Sequence, residues 1–238
     1  MPNPYFQFKQ FTIRQEKCAM KVGTDGVLLG AWTKTGYSKR ILDVGTGTGL
    51  IAIMLAQRSD AFIDAVEIDE LAYQQAIENG KACPWSDRIS FFHSSFDNFI
   101  KNTKQTYDLI VSNPPYHKDT TKSPRVGRHL ARHSENLDYS GIIESSSKLL
   151  TPTGEISLII PASEEMNAQM AAGFNGMYCN RITHIIPSPG KELSRSLMEF
   201  SRQYQPLNED IIMIEEKGRH QFSSEYIRLT KDFYLKFN

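Results

Sequence analysis

The sequence predicts an α/β fold: a mostly parallel sheet with helices on both faces. Strand-length apolar runs alternate with helix-length segments from residue 40 onward, and alternation of this kind favours parallel strands joined by covering helices. The first run, Arg40-Ile-Leu-Asp-Val44, passes directly into a glycine-rich turn and then into Ile51-Ala-Ile-Met-Leu-Ala-Gln57, which reads as a helix. With 238 residues, 40% of them hydrophobic, the chain is long enough to bury a sizeable core as one domain.

Taken in order, residues 5–15 alternate enough to predict a short hairpin, with Phe6, Phe8, Phe11 and Ile13 as its apolar positions. Helical signals follow at 26–32. Then come a strand at 40–44, a helix at 49–58, a strand at 61–67, a helix at 70–82, and strands at 89–93 and 107–112. Residues 137–150 return to helical spacing, and Thr151-Pro-Thr-Gly154 reads as the stop. A strand at 155–160 and a helix at 163–172 come next. Two further strands, at about 178–186 and 194–203, enclose Pro187-Ser-Pro-Gly190. Residues 210–215 read as an extra edge strand and 225–230 as a final helix. No repeat, linker or low-complexity segment divides the chain. Residues 1–238 therefore read as a single domain, with a short N-terminal extension (about 1–38) and a basic loop (117–135).

Gly45, Gly47 and Gly49 let the backbone turn tightly and approach a ligand closely. The helix beyond begins with unpaired N–H groups. The spacing is G-x-G-x-G, with Leu50 where the dinucleotide fingerprint requires its last glycine, which argues against NAD or FAD. The next strand, Ala61-Phe-Ile-Asp-Ala-Val66, ends in Glu67. An acidic residue there, about twenty residues past the glycines, is placed to accept from ribose hydroxyls. Loop and carboxylate together indicate a cofactor containing a nucleoside. The plainer alternative is a tight βα turn beside a solvated glutamate.

Asn113-Pro114-Pro115-Tyr116 follows the apolar run Tyr107-Asp-Leu-Ile-Val-Ser112. Both prolines fix φ near −65° and offer no N–H, and Asn113 is held out of the helical region by the proline after it. The carbonyl oxygens of Asn113 and Pro114 and the Asn113 side-chain oxygen form a stiff set of acceptors. Tyr116 adds an aromatic face. Such a set suits a planar heterocycle carrying an exocyclic NH₂. An Asn-Pro turn closing a strand, with Tyr116 as packing, is the plainer alternative.

Asp43-x-Gly45-x-Gly47-x-Gly49, then Glu67, then Asn113-Pro-Pro-Tyr116, resembles the S-adenosylmethionine-dependent amino-methyltransferases. Lys21-Val-Gly-Thr-Asp-Gly-Val-Leu-Leu-Gly-Ala-Trp32 and Tyr226-Ile-x-Leu-Thr-Lys-Asp-Phe-Tyr-Leu-Lys236 are similar to segments of the bacterial tRNA1(Val) adenine-N6 methyltransferases, so the likeness spans nearly the whole chain. It implies a Rossmann-like methyltransferase fold with an antiparallel C-terminal strand. It implies S-adenosylmethionine as cofactor, S-adenosylhomocysteine as product, and tRNA as substrate, methylated on N6 of the adenine just 3′ of the anticodon. Asn113, Pro114, Pro115 and Tyr116 would then be the catalytic set. Asp43 and the backbone of Gly45, Gly47 and Gly49 would face the methionine part and Glu67 the ribose, with Thr46, Ile68 and Asn113 also binding the cofactor. Lys21, Thr24 and Asp25 would close over the methionine end. Relatives commonly carry an acidic residue at the cofactor adenine, just after the third strand. Ser95 stands there, followed by Phe96 and Asp97, so the adenine contact is assigned to Ser95 and Phe96.

Lysines and arginines total 27, as do aspartates and glutamates, a balance unusual for a nucleic-acid enzyme. The charge is not evenly spread. Between His117 and His133 stand Lys118, Lys122, Arg125, Arg128 and Arg132 against Asp119 alone. Directly after the Asn-Pro-Pro-Tyr stretch, such a run suits phosphate contacts; a merely solvated face is the other reading. The histidines there are loosely spaced with no carboxylate or cysteine partner, so no metal is expected. Cys18, Cys83 and Cys179 are odd in number and far apart, which predicts no disulfide framework and a cytoplasmic location. Cys83 reads as packing. The N-terminal residues lack the pattern of a secretory leader, and no run reaches membrane-spanning length. No membrane contact and no obligate protein partner are expected. Two other acceptors would present a similar NH₂, adenine in DNA and a glutamine amide in a protein. A non-catalytic RNA-binding protein on the same fold is the alternative of another class.

Overall fold

The computed structural model describes residues 3–115 and 138–237. Tyr116 and the basic-loop residues Lys118, Lys122, Arg125, Arg128 and Arg132 lie outside the described residues.

The chain opens with a two-stranded antiparallel ribbon, β1 (Tyr5–Gln7) and β2 (Thr12–Arg14). Helix α1 (Thr24–Trp32) follows. The main sheet then begins: β3 (Arg40–Val44), α2 (Leu50–Arg58), β4 (Phe62–Glu67), α3 (Glu70–Ala82), β5 (Ile89–His93), α4 (Phe96–Asn102) and β6 (Tyr107–Ser112). After the undescribed stretch come α5 (Tyr139–Ser147), β7 (Leu150–Pro161), α6 (Glu165–Phe174), β8 (Tyr178–Ile186), β9 (Arg195–Ser201), β10 (Asn208–Met213) and α7 (Ser224–Thr230).

The sheet runs β10-β8-β9-β7-β6-β3-β4-β5. All pairs are parallel except those of β9, which runs antiparallel to β7 and β8. The expected mostly parallel sheet with an antiparallel strand near the C-terminus is therefore present, and residues 208–213 form the expected extra edge. Neighbouring residues of the central strands feed opposite faces, as the period of two requires. Ile41 and Leu109 pack with α1 and α2, whereas Leu42 and Ile110 pack with α4, α5 and α6. Strands buried on both sides read as unbroken apolar runs, which makes them legible in the sequence.

Two elements depart from the expectation. Thr151-Pro-Thr-Gly154 does not end a helix but lies inside β7. The pairing with β6 slips between Tyr107 and Leu109, so the extra residues are absorbed as an irregularity within the strand. Gly154 allows it, because a Cβ there would stand 2.8 Å from the Tyr107 carbonyl oxygen. The second departure is α4, an element the sequence pattern does not mark. It is a short helix capped by Ser95, whose hydroxyl accepts from the Asn98 N–H at 3.3 Å. Phe96 and Phe99 fasten it to the core.

The N-terminal extension is tied to the sheet through two buried amides of α3. Asn79 accepts from the Arg14 N–H at 2.8 Å and donates to the carbonyls of Arg14 and Thr48 at 2.9 and 2.8 Å. Gln75 accepts from the Lys17 N–H at 3.1 Å. All three cysteines are free thiols, and Cys83 is buried in the core as expected. Among the described residues, no helix is long and apolar enough to cross a membrane.

Candidate active site

Parallel strands bring their carboxyl ends to one edge, and the sequence motifs meet there. Val44 pairs with Val66 on one side and with Ser112 on the other. Gly45, Glu67 and Asn113 thus stand at the ends of three adjacent strands, and neighbouring strands lie about 4.8 Å apart. The Ser112 hydroxyl donates to the Val44 carbonyl at 2.7 Å and pins the start of the Asn113 segment beside the glycine turn. Asn113 is half-buried, Pro114 buried and Pro115 exposed.

The turn needs its glycines for backbone reasons. Gly45, Gly47 and Gly49 have φ of 73°, 56° and 82°, a region where a Cβ is strained. A Cβ on Gly45 or Gly47 would meet nothing within 4 Å, so open space adjoins the turn. The Gly45 and Thr46 N–H groups both donate to the Val66 carbonyl, at 2.9 and 3.0 Å.

Asp43 is fully buried at the end of β3. Its Oδ2 accepts from the Thr46 hydroxyl at 2.6 Å and from the Ala52 N–H at 3.1 Å. It thereby caps the first turn of α2, which begins at Gly49 with no side-chain cap of its own. Its Oδ1 is buried without a hydrogen-bond partner among the described residues. Burial pushes the Asp43 carboxyl up to about 7, against the lowering effect of the Thr46 and Ala52 hydrogen bonds, and the nearby Glu67 charge adds to the rise.

Glu67, also buried, is the second anchor of the turn. Its Oε2 accepts from the Gly47 N–H at 2.8 Å, and its Oε1 from the Ile68 and Asp69 N–H groups at 2.9 Å each. Ile68 itself is 60% exposed beside it. Beyond β5, the Ser95 hydroxyl is engaged as the α4 cap and Phe96 is buried in the core, with Asp97 in the first helical turn.

The segment carrying Lys21, Thr24 and Asp25 lies on the same edge. Cys18 lies within electrostatic reach of Glu67, Asp69 and Lys21; burial, then the two carboxylates, push its thiol up to about 11. The Lys21 ammonium donates to the Gln15 carbonyl. Thr24 opens α1 and is exposed. Asp25 pairs with Arg195 at 2.7 Å, joining α1 to the start of β9. Sequence reasoning missed Asn79, which holds the extension against Thr48 of the turn, and Gln75, which accepts from the Lys17 N–H of the extension. Their signal was available: two uncharged polar residues four apart, on a helix face otherwise made of Ala72 and Ala76.

Residues 20–183 match the methyltransferase small domain family. A tRNA1(Val) (adenine(37)-N6)-methyltransferase from Bacteroides fragilis is 47% identical over 237 residues, covering 99% of this chain and 100% of that protein. One of the same name from Flavobacterium psychrophilum is 48% identical over 233 residues, covering 97% and 99%. Among solved structures, a predicted O-methyltransferase from Agrobacterium tumefaciens superposes with a TM-score of 0.66 at 21% identity, covering 88% of this chain and 96% of that one, a likeness of fold. A strand-end glycine turn with two buried carboxylates, on a chain alike over its whole length to these bacterial enzymes, settles the kinship: the chain belongs to the methyltransferase small domain family, in the group of the tRNA1(Val) (adenine(37)-N6)-methyltransferases.

Proposed function

We propose that this chain transfers a methyl group from S-adenosylmethionine to the exocyclic N6 of an adenine in tRNA, the base just 3′ of the anticodon in tRNA1(Val). One observation carries the reading: the Asn113-Pro114-Pro115 acceptors stand directly beside the Gly45–Gly49 turn, on the edge that also holds Asp43 and Glu67.

The residues fit the cofactor. Among the described residues Asp43 Oδ1 is a buried acceptor without a partner, suited to an ammonium group, and the space beside Gly45 and Gly47 admits a ligand close to the backbone. Among the described residues Glu67 Oε2 takes one N–H, which leaves a lone pair for a ribose hydroxyl. Exposed Ile68 offers an apolar cover for a nucleoside. Ser95 and Phe96 stand at the cofactor adenine. The hydroxyl already caps α4 and the ring is buried, so the Ser95 backbone is the better contact for the adenine. Lys21, Thr24 and Asp25 close over the methionine end.

When bound, S-adenosylmethionine supplies a methyl on a positively charged sulfur, already activated. The protein's task is then positioning and charge management. Anticodon-loop bases are single-stranded, so splaying the adenine out costs little. Tyr116 stacks on the ring. The Asn113 side-chain oxygen and the Pro114 carbonyl accept the two N6 hydrogens and favour a pyramidal nitrogen, whose lone pair is otherwise delocalised into the base. The proton made acidic by alkylation leaves to water, so no ionisable base is required. Lys118, Lys122, Arg125, Arg128 and Arg132 contact tRNA phosphates. The whole chain works as one domain in the cytoplasm, with tRNA as its partner.

Transfer of labelled methyl into separate pools of unmodified tRNA, DNA and protein tests the reading. Label should enter tRNA alone and appear as N6-methyladenosine. Label in DNA or protein instead would overturn the choice of acceptor, and none in any pool would overturn the activity.

A further inference from the structure

We propose that Glu165, His184 and Glu209 form a binding site for one divalent transition-metal ion of the zinc class. The cluster lies on the α6 face of the sheet, three strands away from Asn113 in the order β6-β7-β9-β8, and takes no part in the methyl-transfer site. Each residue comes from a different element. Glu165 is the first residue of α6, His184 lies near the end of β8, and Glu209 near the start of edge strand β10. One ligand atom from each residue lies within 4.8 Å of the other two.

The His184 ring carries the argument. Its Nδ1 is buried and makes no hydrogen bond among the described residues, although a Glu165 carboxylate oxygen stands only 3.3 Å away. The two atoms are close but not aligned for an N–H donor. Two ligand atoms sharing a tetrahedral zinc stand about 3.4 Å apart and aim at the ion rather than at each other. The pair fits that demand better than it fits a hydrogen bond. Glu165 is held in place by the Ser196 hydroxyl, which donates to the same oxygen at 2.8 Å, the kind of orienting contact that ligand carboxylates receive. Glu209 approaches from the open side. Its Oε1 faces the other ring nitrogen, Nε2, at 3.8 Å and its side chain is 57% exposed, so rotation about its side-chain torsions swings a carboxylate oxygen round to the Nδ1 side without disturbing the core. Water would complete the coordination. One imidazole with two carboxylates suits zinc or a neighbouring first-row ion better than magnesium or calcium, which prefer all-oxygen sets. The ion would fasten the exposed edge strand β10 to β8 and α6.

The test uses the full-length protein, stripped with a chelator and titrated with zinc by calorimetry, with cobalt as a spectroscopic stand-in. One zinc should bind per chain and raise the melting temperature. X-ray absorption should show one imidazole nitrogen, oxygen neighbours and no sulfur. His184→Ala should abolish the site. Glu209→Gln, at an exposed position that folding does not depend on, should weaken binding by at least about tenfold. Glu209→Gln also keeps the assay decisive should His184→Ala fail to fold. Wild-type protein that binds no zinc would overturn the proposal, leaving His184 as a ring merely packed between two carboxylates. So would zinc binding left unchanged by Glu209→Gln, which would place the ion on other histidines.

Discussion

Glu67 grips Gly47: one carboxylate oxygen takes the Gly47 N–H at 2.8 Å while the other takes the N–H groups of Ile68 and Asp69. The residue at the end of β4 therefore shapes the turn at the end of β3 before any ligand arrives. A residue expected only to meet a ribose also shapes the loop proposed to meet the rest of the cofactor.

Replacing Glu67 with alanine should accordingly weaken cofactor binding and loosen the turn together. Loss of a charged acceptor from a buried hydrogen bond costs roughly 1.5–3 kcal/mol, equivalent to about ten- to a hundredfold in affinity. Calorimetry with S-adenosylhomocysteine measures the first effect and thermal denaturation the second. Unchanged affinity would show that Glu67 has no part in the cofactor site.

Asp43 predicts a proton coupled to cofactor binding. In the free protein its carboxyl is raised to about 7 by burial, so it holds a proton over part of the range from 4 to 7 where an ordinary aspartate has lost it. More protons are then bound folded than unfolded, and its contribution to stability falls as pH rises through that window. A ligand ammonium beside Oδ1 favours the charged form and expels the proton. Affinity for S-adenosylhomocysteine should therefore climb between pH 5 and 7, with proton release near pH 6 detectable as a dependence of binding heat on buffer ionisation enthalpy. In Asp43→Asn the release should vanish. Release that persists in that variant would point to another group.

Neutralising Arg125, Arg128 and Arg132 together should weaken tRNA binding and flatten its salt dependence. Each tRNA phosphate that no longer meets an arginine should lower the slope of log affinity against log salt by about 0.7–0.9. Cofactor affinity should stay at the wild-type value. A triple variant with wild-type slope would move the RNA contacts elsewhere, and Arg195, committed to Asp25, would be a poor substitute.

The sheet and the edge where its motifs meet were legible because buried parallel strands announce themselves as short apolar runs, and because Gly45, Gly47 and Gly49 have positive φ that other residues tolerate poorly. Helix α4 was missed because seven residues give hardly two turns of periodicity, although Ser95 with Asn98 three residues on was a capping signal. Thr151–Gly154 has the composition of a turn, and it lies in the strand only as the irregularity between the Tyr107–Leu150 and Leu109–Glu155 pairs with β6, a long-range fact that local residues do not carry. The buried state of Asp43 and the double grip of Glu67 depend on register between β3 and β4, so the sequence revealed the presence of both carboxylates but not what they hold.

The most direct test of the central claim is single-turnover methylation of unmodified tRNA1(Val) by Asn113→Ala, alongside S-adenosylhomocysteine binding by the same protein. If the strand-end acceptors hold the adenine amine, the rate of N6-methyladenosine formation should fall by about a hundredfold or more while cofactor affinity stays close to wild type. An Asn113→Ala protein that methylates the adenine at the wild-type rate would contradict the account.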